Sequence, residues 1–126
     1  GVYTMSYTKK PAIRMPGETY SCASCDDKSF DYSEACQNWR CPDCDDYIHI
    51  YAEDTAASDK GDFYRKRADE VMLYELVKPG RMRISCSYAV KGITPLGNGK
   101  LGFGLTDYGR LVLEKDDWVT VRIGGG

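Results

Sequence analysis

Two Cys-x-x-Cys pairs constrain this chain more than any other feature: Cys22-Ala-Ser-Cys25 and Cys41-Pro-Asp-Cys44, with fifteen residues between them. Two residues between cysteines let a tight turn aim both sulfurs at one point, while N–H groups of the turn hydrogen-bond to the thiolates. Two such turns facing each other supply a tetrahedral set of four sulfurs and leave no open position for a catalytic water. The competing reading of six cysteines in 126 residues is a disulfide framework, common in small secreted domains. The N-terminal stretch Gly-Val-Tyr-Thr-Met-Ser-Tyr-Thr-Lys-Lys lacks the apolar core of a secretory signal, and both pairs are intact, so the metal reading is preferred and a cytoplasmic location is expected. Met5 reads as the native start, with residues 1–4 and Gly124–Gly126 as additions.

The flanks of the pairs match each other. Tyr20 and Trp39 each stand two residues before the first cysteine of their pair, which puts one aromatic beside each turn on an entering strand. Pro42 fixes φ inside the second turn. On these residues the chain resembles the zinc-ribbon family, whose paired knuckles are also those of rubredoxin, over about residues 18–52. The resemblance implies that Cys22, Cys25, Cys41 and Cys44 are the metal ligands. Those families place glycine just after each pair, whereas this chain has Asp26 and Asp45, residues that tolerate left-handed φ better than most. The short spacing between the pairs favours one structural Zn²⁺ over redox iron. Zinc in such a site contributes roughly 10–16 kcal/mol of apparent binding energy, enough to fold a segment with almost no core of its own. Cys36 is expected to pack, with a ligand-exchange role as the alternative, and Cys86 to be a buried free thiol.

Along the chain, residues 1–17 read as an extended arm, 18–52 as the ribbon, 53–62 as a polar linker, and 63–126 as a short helix followed by a small β-barrel. The fold class is mainly β. Phe63, Tyr64, Ala68, Val71 and Met72 recur at helical spacing, which predicts a helix from about Phe63 to Glu70. From Arg81 the period becomes two: Met82, Ile84, Cys86, Tyr88 and Val90 alternate with more polar neighbours, as do Leu101, Phe103 and Leu105, then Val119, Val121 and Ile123. Turn signals at Gly97-Asn-Gly99, Asp107-Tyr-Gly109 and Lys115-Asp-Asp117 separate the strands and predict an antiparallel meander. Such a sheet usually curls to hide its edges. The lead-in Leu76-Val-Lys-Pro-Gly80 resembles the opening of SH3-like barrels, with an OB-like barrel as the alternative.

Charge is divided along the sequence. Residues 21–60 hold ten acidic and three basic side chains, a balance of −7, while residues 61–126 hold eleven basic and eight acidic, a balance of +3. The second part offers the better nucleic-acid surface: Arg65, Lys66 and Arg67 on the polar side of the expected helix, Arg81 and Arg83 on the first strand, and Trp118 beside Arg122 on the last. Asp43, Asp45 and Asp46 give the ribbon an acidic face that repels phosphate and suits a basic protein surface. Enzyme activity is not expected. The lone histidine, His49, lies between Ile48 and Ile50 on a strand, and the glycine-rich run 97–104 joins two strands without the helix a phosphate cradle needs. The leading expectation is therefore a non-catalytic zinc module recognising nucleic acid or a nucleoprotein complex. A protein adaptor or inhibitor acting through the acidic ribbon is the alternative, and a rubredoxin-like iron protein a third. No apolar run approaches the length of a membrane helix.

Overall fold

A computed structural model describes residues 10–123; the expected native start and both sets of terminal additions lie outside the described residues, as does most of the expected arm. Nine strands form one antiparallel sheet: β1 (Thr19–Cys22), β2 (Lys28–Phe30), β3 (His49–Asp54), β4 (Asp59–Arg67), β5 (Leu76–Lys78), β6 (Tyr88–Gly97), β7 (Lys100–Leu105), β8 (Gly109–Glu114) and β9 (Trp118–Arg122). Their spatial order is β2-β1-β3-β4-β9-β5-β6-β7-β8. One turn of helix, α1 (Tyr32–Ala35), follows β2 and starts in a capping box between Asp31 and Glu34. The molecule is mainly β, as its alternating runs require. No helix among the described residues is long and apolar enough to cross a membrane.

The turns fall where the glycine, asparagine and aspartate signals put them. Gly97, Asn98 and Gly99 all take positive φ between β6 and β7, and Asp107 and Gly109 do so between β7 and β8. Three other expectations are corrected. The helix from Phe63 to Glu70 is absent: Asp59–Arg67 is strand β4, and only Ala68–Glu70 forms a 3₁₀ turn. The segment 53–62 is the β3–β4 hairpin, closed by a 3₁₀ turn at Thr55–Ala57 that the Asp54 side chain caps. The strand expected from Arg81 begins at Tyr88; residues 79–87 form a turn-rich loop that drops Ile84 into the core. The pairings of β5 to β9 continue directly into those of β1 to β4 through β4 and β9, and run in an open order from β2 to β8.

β4 and β9 lie at the centre and feed two cores on opposite faces. Phe63 and Trp118 pack with Met15, Tyr20, Phe30, Trp39, Ile48, Ile50 and Ile84. Tyr64, Val119 and Val121 pack with Val77, Val90, Phe103 and Leu105. In β4, Lys60 to Phe63 still alternate between exposed and buried, but both faces are covered from Phe63 to Arg67, where the alternation is lost.

Its central residue is a cation. Arg65 is fully buried, and so is the side chain of its partner Glu18, at 2.5 Å. Arg65 also donates from Nε to Thr120 Oγ1 on β9 and from Nη2 to the Ile13 carbonyl, with its guanidinium 4.4 Å from the Trp39 ring. Glu18 further accepts from the Met15 N–H and the Tyr20 hydroxyl, each at 2.7 Å. The arm is tied down beside this pair. Glu53 N–H donates to the Pro16 carbonyl, and Gly17 sits at φ +60°, where a Cβ would come within 2.6 Å of the Glu53 oxygen.

Burial alone would raise the Glu18 pKa, but the hydrogen bonds and charge of Arg65, with Met15 and Tyr20, outweigh it and hold the carboxyl below its usual 4.5. A depressed carboxyl stabilises the fold above its unfolded pKa, and that contribution is lost as pH falls through the folded value. Glu18→Gln strands a buried guanidinium and is expected to cost about 3–5 kcal/mol at neutral pH. The deficit relative to wild type shrinks below pH 4.5, as urea denaturation across pH would record.

Candidate metal centre

The two Cys-x-x-Cys turns face each other at the end of the sheet. The first leaves β1 at Cys22, passes through a 3₁₀ turn at Ala23–Cys25 and reverses at Asp26 and Asp27, whose φ values are 54° and 58°. The second is closed by an isolated bridge between Arg40 and Tyr47, with Cys41 N–H donating to the Asp46 carbonyl and Asp45 N–H to the Cys41 carbonyl. Asp45 takes φ 64°. The aspartates that follow the two pairs, Asp26 and Asp45, therefore adopt the left-handed conformation expected of them.

The four sulfurs of Cys22, Cys25, Cys41 and Cys44 all lie within 4.8 Å of one another. Cys22 and Cys44 are 3.5 Å apart, and Cys25 and Cys41 3.9 Å. A tetrahedral site with metal–sulfur bonds of about 2.3 Å needs sulfurs about 3.8 Å apart, so the residues present fit a metal ion. The Asp43 N–H donates to Cys41 Sγ at 3.4 Å, the kind of backbone contact a thiolate needs. Cys22 and Cys41 are buried, Cys25 is half-buried and Cys44 exposed, so the site sits at the surface with one edge toward water.

The electrostatics of the four thiols suit a bound cation. Hydrogen bonding with Cys44, then burial and the neighbouring Cys22 and Cys41, push Cys25 up to about 12. Burial works against the Cys41 thiolate, yet the N–H groups of Asp43 and Cys44 outweigh it and lower its pKa. Four sulfurs this close cannot all ionise on their own; a divalent cation removes the conflict and releases protons on binding.

The supporting shell is polar outside and aromatic inside. Lys28 donates to Asp43 at 2.7 Å, and the Ser24 hydroxyl donates to Asp46 across the two turns. Tyr20 and Trp39 meet beneath the site with ring centroids 5.7 Å apart, both buried. Asp43, Asp45 and Asp46 are exposed around the second turn, as read from the sequence. Cys36 is half-buried and packs against the core beside Tyr32, with its thiol directed at the Ser33 carbonyl. Cys86 is also half-buried, in a loop, and not the fully buried strand thiol expected.

The expected exposure of the basic residues is corrected. Arg65 is internal, and Lys66 is 4% exposed, with Nζ 3.1 Å from Glu75 and within 5.3 Å of the Tyr47 and Tyr64 rings. Arg67 is half-buried and paired with Asp69 at 2.7 Å. Arg122 is half-buried with its guanidinium over Phe63, and Trp118 is half-buried against the knuckle-side core. Only Arg81 and Arg83 stand exposed, both in the 79–87 loop and not on a strand, and Arg83 lies 4.0 Å from Asp59.

Sequence reasoning passed over Glu18, Glu75 and Lys78. Lys78 is buried against a cleft of about 280 Å³ that Ile13, Val77, Leu113 and Trp118 also line. Burial, then the charge of Arg65, lowers its pKa. A lysine in the short run Leu76-Val-Lys carries no signal of burial; only the partners do.

Compared with family models, with curated proteins and with solved structures, the chain finds no match.

The geometry divides the cysteines into four that can bind metal and two, Cys36 and Cys86, that stand apart from that cluster. Cys25→Ser and Cys44→Ser are expected to abolish stoichiometric metal binding, whereas Cys36→Ser and Cys86→Ser leave it intact. Metal titration monitored by elemental analysis separates the two groups.

Proposed function

We propose that this chain is a non-catalytic zinc-ribbon protein in which one structural Zn²⁺ shapes an acidic tip for docking on a basic protein surface. The observation that carries the reading is the distribution of charge. Asp26, Asp27, Asp43, Asp45 and Asp46 are exposed around the four-cysteine site, while Arg65 and Lys66 are consumed inside the molecule. Four thiolates on one Zn²⁺ add a further −2 to that tip. Saturation of the metal by sulfur supports a structural and not a catalytic role.

Nucleic-acid recognition is the weaker reading, because Arg65 and Lys66 point inward to Glu18 and Glu75 and, of the basic residues read as its surface, only Arg81 and Arg83 are fully exposed. Zinc is preferred to iron on the short connection between the pairs. The unpaired thiols of Cys36 and Cys86 suit a reducing compartment, which supports a cytoplasmic location.

Native protein is expected to be colourless and to carry one zinc by elemental analysis; stoichiometric iron would overturn the structural assignment. Reversing Asp43, Asp45 and Asp46 to lysine is expected to weaken binding to a basic protein partner about tenfold or more, mostly through the association rate, and to do so less at high salt. Salt-sensitive binding of a mixed nucleic-acid pool, unchanged by those reversals, would return the assignment to the basic loop.

A further inference from the structure

The two edges of the sheet are managed differently. β2 is three residues long and begins with a charged lysine, the usual ways of blunting an edge. β8 spans six residues, Gly-Arg-Leu-Val-Leu-Glu, with no proline, and among the described residues it pairs only with β7. At its middle Val112 is 47% exposed. It stands opposite Gly102, which is buried under the side chains of Arg110 and Leu96.

The hydrogen-bond parity of this edge follows from one contact. Lys115 N–H donates to the Gly99 carbonyl at 2.8 Å, so residues 99 and 115 are a hydrogen-bonded pair. In an antiparallel ladder such pairs alternate with non-bonded ones. The regular register from Lys100↔Glu114 to Leu105↔Gly109 then turns the backbone groups of Leu111 and Leu113 toward β7. Those of Arg110, Val112 and Glu114 point away from the sheet. The Glu114 N–H confirms the parity: it is taken by the Asp117 carboxylate at 2.9 Å, on the far side from β7.

We propose that β8 pairs antiparallel with β8 of a second copy of this chain, about a two-fold axis through Val112. In that register Val112 faces Val112 of the other copy, and each valine N–H donates to the opposite carbonyl. Both backbone groups of Glu114 are held by Asp117, whose carboxylate accepts from its N–H and whose N–H donates to its carbonyl, so the backbone bonds across the axis are the two between the valines. The side chains match in the same register. Arg110 falls opposite Glu114 twice, Leu111 opposite Leu113 twice, and the charges are reversed end to end along the strand.

The run Arg-Leu-Val-Leu-Glu is therefore complementary to itself in the antiparallel sense, in polarity and in apolar pattern, with Val112 supplying the backbone bonds at the axis. A register moved by one residue would oppose outward groups to inward ones and lose every bond. Arg110 has no ion pair among the described residues, and Glu114 meets only Lys10, at 3.8 Å on an exposed side chain, a contact worth little. The interface is isologous, so it closes on itself and continues the sheet across the axis without forming a fibre.

Sedimentation equilibrium of the full metal-loaded chain, from about micromolar to millimolar, tests the pairing. A concentration-dependent dimer is expected. Arg110→Glu or Glu114→Arg alone places like charges at both ends of the pairing and is expected to weaken it on the order of tenfold. The double exchange Arg110→Glu/Glu114→Arg restores it, which a general loss of stability would not do. All three changes are at exposed positions, and retained metal stoichiometry and circular dichroism report the fold. Val112→Pro removes the central donor and is expected to give monomer. A monomer throughout the range overturns the proposal, as does a dimer indifferent to the single charge reversals. A chain that dimerises through β8 only after removal of residues 1–9 would assign the edge to its own N-terminal segment and overturn it equally.

Discussion

The fully enclosed ion pair between Glu18 and Arg65 is the contact on which the rest of the structure depends. Removing two charges from water costs several kcal/mol for each, and their attraction offsets this only when the remaining donors and acceptors are matched. Here they are. Glu18 receives Met15 N–H, the Tyr20 hydroxyl and two guanidinium nitrogens; Arg65 reaches Thr120 and the Ile13 carbonyl as well and lays its flat face on Trp39. These partners come from the arm, β1, the segment before Cys41, β4 and β9. Five stretches of chain thus meet at the ion pair, and the knuckle region and the C-terminal strands become parts of one body.

That arrangement also explains where the sequence misled. Asp59–Arg67 contains Phe63-Tyr64 followed by three consecutive basic residues, a pattern that suits an amphipathic helix with a cationic face. It is instead a strand next to the middle of the sheet, covered on both sides from Phe63 to Arg67. Arg65 points to one core and Lys66 to the other, where Glu75 and the rings of Tyr47 and Tyr64 receive it. Periodicity assumes that charge marks solvent; a strand whose charges are answered by Glu18 and Glu75 breaks that assumption, and the answering residues lie 47 and 9 positions away. Residues 81–87 misled in the opposite direction. Their alternation was real, yet only Ile84 is buried, and the loop leaves Cys86 half-exposed.

The metal centre was legible because its determinants are local. Each Cys-x-x-Cys pair is made within one turn, and the aspartates after the pairs take the left-handed φ that the turn demands without help from distant residues. The hairpin turns were legible for the same reason, since Gly97-Asn-Gly99 and Asp107-Tyr-Gly109 carry their conformation in their own side chains. What could not be read was how these pieces meet, because that depends on pairs such as Glu18 with Arg65 that no spacing announces.

Trp39 connects the two levels. It stands two residues before Cys41 and takes φ 59°, a costly conformation for a bulky side chain. Three contacts hold it there: its N–H donates to the Ala35 carbonyl, its carbonyl accepts from Ile48 N–H, and its ring lies between Tyr20 and the Arg65 guanidinium. The turn carrying Cys41 and Cys44 is thus anchored to the buried ion pair through a single strained residue. The four sulfurs join the end of β1 to the Cys41 turn, and the same two segments place Tyr20 and Trp39 beside Glu18 and Arg65. The four-cysteine cluster and the buried ion pair thus share one structural element, Trp39, whose backbone carries the Cys41 turn and whose ring lies on Arg65.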